Sequence, residues 1–203
     1  MNLANILTFS RIIFAPVFLI IYLLPRFFPS MFTNGGGWTI PVLWIIFIVS
    51  ELTDLFDGLA ARKLNLTSDF GKFFDPFADT LVQLTCFLCF IIDDVWDCGI
   101  VPVILFLIVI YREFAILFIR NLMLKKGVIM GARMSGKIKT VAYIIAVAAA
   151  LLAASLERLA VRESLLPYFK TSALIIFIIS VIFAVVSFIE YLNIYLKTEK
   201  SNE

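Results

Sequence analysis

Long apolar runs broken by short polar stretches set the pattern of this chain, and the spacing of the breaks predicts six membrane-crossing helices. The runs cover residues 12–24, 38–62, 70–92, 100–124, 140–155 and 171–196. A hydrocarbon layer of about 30 Å needs roughly 20 helical residues, so the first run must borrow flanking positions to complete its crossing. The breaks differ in character. Residues 25–37 carry three consecutive glycines, 63–68 form a tight polar turn, and Asp93, Asp94 and Asp97 with Trp96 make an acidic loop without Lys or Arg. Residues 125–139 form a basic connector, 156–170 a mixed loop and 197–203 a polar tail. Residues 1–11 read as an interfacial lead-in, with Asn5, Thr8 and Arg11 spaced to share a helix face. Pro76, near the start of the third run, costs little if it falls in a first helical turn and more if the helix begins earlier.

Composition sharpens this to a class. Of 203 residues, 62% are hydrophobic and 16% charged, and the mean hydropathy is +1.03. These values exclude an ordinary soluble domain and leave an all-α, polytopic integral membrane protein, one domain over 1–203 without internal repeats. No nucleic-acid partner is expected. Arg11 and the apolar run behind it imitate a secretory signal, but no small-residue cleavage site follows, so the run is expected to stay as the first span. Cys86 and Cys89 lie inside an apolar run and read as small packing residues, not as a redox or metal pair.

The net charge of +2 says little; its distribution says more. With six spans, 11 of the Lys and Arg residues fall on the side holding the start, the 63–68 turn, the 125–139 connector and the tail. Only Arg26, Arg158, Arg162 and Lys170 fall on the other side. This bias places both termini and the 63–68 turn in the cytoplasm, under a cell (inner) membrane.

The candidate chemistry sits around that turn, in 54–79: DLFDGLAARKLNLTSDFGKFFDPFAD. On a helix, Gly58 and Ala61 fall within about 40° of Asp54, and Asp57 within about 60° of it. Asp75 and Asp79 are one turn apart on the next helix. Asp54 precedes Arg62 by about 12 Å along the axis, which puts the site beneath one membrane surface rather than at mid-membrane. Four carboxylates gathered at low dielectric repel and pay for desolvation, and hard divalent cations relieve both. The chain has no His, and no Cys falls in this stretch, which argues against zinc. Gly58 and Gly71 leave room for a ligand near backbone, and Arg62 suits a pyrophosphate.

The order and spacing D-x2-D-G-x2-A-R-x8-G-x3-D-x3-D resemble the signature of the CDP-alcohol phosphotransferases. The NILTFSR start, the GKFFDPFAD run, Arg112-Glu113 with Arg120, and SGKIKT at 135–140 resemble the phosphatidylglycerophosphate synthase branch. The resemblance implies that Asp54, Asp57 and Asp75 hold two Mg²⁺ or Mn²⁺ ions, with Asp79 as general base and further metal contact. It implies that Gly58, Ala61, Arg62 and Gly71 contact the CDP moiety of CDP-diacylglycerol, with Asn5 and Thr8 shaping the nucleotide pocket. A homodimer is implied as well.

A phosphorylated acceptor needs cations, and Arg112, Arg120, Arg133, Lys137 and Lys139 can supply them from the cytoplasmic half of spans four and five. Glycerol-3-phosphate is the expected acceptor. Arg112 and Glu113, adjacent on a helix, are expected to point apart and not to pair. Glu51, one turn before Asp54, has no place in the signature. Three rivals remain at this stage: a transferase with another acceptor such as inositol phosphate, a divalent-cation transporter, and a non-catalytic scaffold. A transporter would place its ligands nearer mid-membrane and has no need of the fixed Gly, Ala and Arg.

Overall fold

The computed structural model describes residues 3–32, 37–64, 69–96, 98–125, 127–128, 133–160 and 163–200, with backbone alone at 3–7, 31, 54–64, 69–75, 163 and 199–200. Six long helices account for most of them: α1 (Leu3–Phe27), α2 (Thr39–Leu64), α3 (Asp69–Ile92), α4 (Val101–Lys125), α5 (Met134–Arg158) and α6 (Leu166–Lys200). Single 3₁₀ turns at Pro29–Met31 and Glu163–Leu165 lead into α2 and α6, and no strand occurs among the described residues. Counting the described residues, four helices (α1, α4, α5 and α6) are long and apolar enough to cross a membrane. Among the described residues, α2 and α3 contribute shorter apolar stretches, Thr39–Thr53 and Pro76–Ile92.

The six expected helices are present, with shifted boundaries. The lead-in is the first part of α1 itself, continuous into the first span. Helix α5 starts at Met134 rather than at 140, with Arg133 extended at its N-cap. An interior glycine costs a helix only about 1 kcal/mol relative to Ala, so Gly136 does not prevent this early start. Lys137 and Lys139 therefore sit on a helix, not in a loop. Pro76 is well past the first turn of α3, so a backbone donor is missing inside the helix there.

Helix α1 packs on α2 and α3, α3 also on α4 and α5, and α6 on α4 and α5. Among the described residues the most extensive pair is α5 with α6, and α5 buries Ala146, Ala150, Ala153 and Ala154. Small side chains let backbones approach closely, which is how helices associate where lipid removes the usual hydrophobic drive. An aromatic chain links the layers: Phe87 stands edge-on to Tyr143 and tilts against Phe177, which stacks on Trp96 at 4.6 Å. Cys86 and Cys89 are buried free thiols in this core, as packing residues should be.

One end of the bundle is tied by charge. Arg158 of α5 donates from Nη2 to the Tyr22 carbonyl (2.9 Å) and to Asp93 Oδ2 (3.2 Å), and its guanidinium lies 4.2 Å above the Tyr22 ring. Tyr22 Oη donates to the same Asp93 oxygen at 3.1 Å, and Arg26 donates to the Ile92 carbonyl. The acidic loop that lacks its own cations thus receives one from α5. These contacts gather the C-terminal ends of α1, α3 and α5, so the opposite ends converge on the far side of the bundle.

Candidate active site

At that far end, α2 finishes and α3 begins with only 65–68 between them. The backbone is helical at Asp54, Asp57, Gly58, Ala61, Arg62, Gly71 and Asp75, so the angular relations expected from the sequence apply to it. The side chains of those residues, and of Asn5, lie outside the described residues. Thr8 is buried on α1 and Glu51 half-buried on α2; neither lines the cavity onto which Asp79 opens.

Asp79 is half-buried on α3. Gln83, one turn further along and 3% exposed, donates from Nε2 to Asp79 Oδ1 at 3.0 Å. A buried amide so placed fixes the carboxylate rotamer and leaves the second carboxylate oxygen for other partners. Asp79 opens onto a cavity of about 260 Å³, and Arg112, Arg120, Arg133, Lys137 and Lys139 all line the same cavity. Five cations expected from scattered positions on α4, α5 and the connector therefore meet one carboxylate of the signature. Besides Asp79, the cavity wall holds one further acid among the described residues, Glu113. Five positive side chains against two carboxylates give a cavity suited to an anion of about two charges.

The partners of these cations differ. Arg112, 6% exposed, donates from Nε to the Ala184 carbonyl (3.1 Å), from Nη2 to Ser187 Oγ (3.0 Å) and from Nη1 to Glu113 Oε1 (2.6 Å). The expectation that Arg112 and Glu113 would not pair is therefore corrected. Their Cβ atoms do diverge around the helix, but the long Arg side chain is drawn back by α6, and burial of both groups rewards closing the gap. Lys139, 5% exposed, donates to the same Glu113 Oε1 at 3.1 Å, its ammonium 4.6 Å over the Tyr143 ring. Arg120 donates from Nη2 to Tyr191 Oη at 3.0 Å. Arg133, half-exposed, pairs with Glu190 at 3.5 Å, and Lys137 is exposed.

Helix α6 contributes what the sequence reading missed. Ser187 and Tyr191 hold Arg112 and Arg120, and Glu190 holds Arg133 and accepts from Ser135. Gly136 lies beneath them: a Cβ there would stand 3.7 Å from Tyr191 Oη and 4.0 Å from Ser187 Oγ, ordinary contact that would nonetheless fill part of the cavity. The signal was present as a stripe. Ser180, Ala184, Ser187 and Tyr191 recur at helical spacing within about 60°, in an otherwise apolar span, and all four are buried.

A helical bundle with spans long enough for a bilayer, and a cation-lined cavity carrying a carboxylate near one end, defines a polytopic membrane protein built to handle anionic groups. The model of the CDP-alcohol phosphatidyltransferase family matches residues 1–189, and the chain belongs to that family. It is thus a membrane transferase of phospholipid biosynthesis. Among its relatives, the CDP-diacylglycerol–glycerol-3-phosphate 3-phosphatidyltransferase of Bacillus subtilis is 40% identical over 155 residues, covering 74% of this chain and 77% of its own. The protein of the same name from Treponema pallidum is 32% identical over 200 residues, covering 96% of this chain and 89% of its own.

Proposed function

We propose that this protein transfers the phosphatidyl group of CDP-diacylglycerol to glycerol-3-phosphate, releasing CMP. The observation that carries the proposal is the shared cavity: Asp79 of the signature and five cations line one space, the arrangement a hydroxyl acceptor bearing its own phosphate requires. The names of the relatives point to the same acceptor.

In this reading the acceptor phosphate sits among Arg112, Arg120, Arg133, Lys137 and Lys139, which leaves its hydroxyl near Asp79. Asp79 takes the hydroxyl proton as the oxygen bonds to the phosphorus that carries diacylglycerol. The bond from that phosphorus to the bridging oxygen breaks, and its electron pair departs with CMP. Gln83 keeps Asp79 in one rotamer, so the proton acceptor is placed before the substrate arrives. Gly58, Ala61, Arg62 and Gly71, with Asn5 and Thr8, form the CDP side.

The signature donors are all carboxylate oxygens, carried by the last turns of α2 and the first of α3, and this set fits a hard divalent cation. Asp54, Asp57, Asp75 and Asp79 would hold Mg²⁺ or Mn²⁺, two ions in all, which when bound supplies charge neutralisation on the pyrophosphate. The charge bias of the loops supports a cytoplasmic site, where soluble phosphate esters are available.

The test is product identification. Purified protein in detergent with CDP-diacylglycerol and Mg²⁺ is given glycerol-3-phosphate or inositol phosphate. Phosphatidylglycerophosphate and stoichiometric CMP are expected from the first. A faster reaction with inositol phosphate would reassign the acceptor, and no CMP from either would overturn the reaction.

A further inference from the structure

Among the described residues, Glu113 is the one cavity carboxylate that the proposed reaction does not use. It is 6% exposed and its Oε1 accepts from two buried cations, Arg112 of its own helix and Lys139 of α5. Both cations line the cavity with it. Stability alone is a poor reason for such a cluster, because a buried ion pair gains little over well-packed apolar side chains once desolvation is counted. Position also matters. The more exposed pair, Arg133 with Glu190, involves an acid outside the cavity lining, and Arg120 is held by a neutral hydroxyl. Among the described residues, only the two most deeply buried of the cavity cations share a carboxylate that itself faces the cavity.

We infer that Glu113 is an internal counter-anion for the acceptor phosphate. It positions Arg112 and Lys139 while the cavity lacks a phosphate and competes with the phosphate for them when one enters. The inference rests on the proposed phosphate-bearing acceptor. Its chemical sense lies in release. The acceptor's phosphomonoester is still present in the lipid product, so cations that gripped it without competition would also retain the product. A carboxylate on the same nitrogens weakens both complexes and lets turnover proceed. Glu113 is therefore a positioning residue that sets how tightly the cavity holds a phosphate ester, distinct from the groups that move protons.

The experiment is steady-state kinetics on purified full-length protein, with glycerol-3-phosphate as varied substrate and inorganic phosphate as competitive probe. Glu113→Gln keeps the shape and an accepting oxygen but removes the charge. It is expected to lower the acceptor KM and the inhibition constant for phosphate by about tenfold, as one desolvated charge near a phosphate implies, and to lower kcat through slow product release. A purely structural role gives a different pattern: lower thermal stability with both constants unchanged or raised. Glu113→Gln leaves Lys139 buried with a weaker partner, so the double variant Glu113→Gln/Lys139→Met guards against misfolding. With one charge of each sign removed, its KM should return to within about threefold of the wild-type value, whereas Lys139→Met alone raises it. Unchanged phosphate inhibition in Glu113→Gln, or a double variant no better than Lys139→Met, would overturn the inference. If the wild-type protein makes no phosphatidylglycerophosphate at all, the underlying reading fails instead, and the two failures are thereby separated.

Discussion

Asp79→Asn should abolish CMP release, lowering kcat by about a thousandfold or more, while the protein still inserts and purifies as wild type does. Gln83 Nε2 donates to Asp79 Oδ1, and an asparagine oxygen accepts the same bond, so the rotamer and the helix survive the change. Charge and basicity do not survive. General-base catalysis is worth roughly 10²–10⁴, and loss of a carboxylate from the proposed divalent site adds to that. Radiolabelled CMP release from detergent-solubilised protein checks the rate, and size-exclusion behaviour checks the fold. Residual activity within tenfold of wild type would remove Asp79 from the chemistry.

Arg112→Ala should have the second-largest effect, with two separable components. Arg112 spends its Nε, Nη1 and Nη2 on the Ala184 carbonyl, Glu113 and Ser187, which joins α4 to α6 inside the bundle. Its removal leaves Glu113 dependent on Lys139 and strips two α6 acceptors of a donor, a loss of about 3 kcal/mol for breaking a buried ion pair. The cavity also loses a cation, and charge-assisted hydrogen bonds of roughly 1.5–3 kcal/mol imply an acceptor KM higher by about 10- to 100-fold. Arg112→Lys keeps the charge but not the fork that reaches three acceptors, so it should restore part of the KM and little of the stability. Thermal unfolding in detergent and acceptor titration measure the two components independently. An unchanged KM alongside lowered stability would make Arg112 a structural strut only.

The membrane class, the six helices and the family were legible because each rests on strong one-dimensional signals: long apolar runs, breaks, and eight signature positions at fixed spacing. The clustering of Arg112, Arg120, Lys137 and Lys139 was partly legible, since ionisable residues inside or beside apolar spans demand partners. What could not be read was which partner each would take. The Arg112–Glu113 contact runs against the rule that helix neighbours diverge, because that rule concerns Cβ directions and not the reach of a long guanidinium pulled back by Ala184 and Ser187. Tyr191 and Ser187 were hidden for another reason. In a span as apolar as α6, one Tyr and a few Ser look like ordinary bilayer residues until the helical face they share is compared with the cations opposite. The early start of α5 escaped because the Lys-rich, Gly-containing stretch 125–139 reads as connector, although within 134–139 nothing except Gly136 opposes a helix.

The central claim is that a single cavity joins the signature carboxylate to a phosphate-binding cluster, so that the acceptor is chosen by its phosphate. The most direct measurement compares glycerol-3-phosphate with glycerol as acceptors for the same purified protein, with CDP-diacylglycerol and Mg²⁺ at saturation. Glycerol-3-phosphate should be favoured in kcat/KM by about a thousandfold or more, the scale expected when several buried cations lose their ligand. Comparable rates with the two alcohols would mean that the five cations do not serve the acceptor, and the account would be wrong.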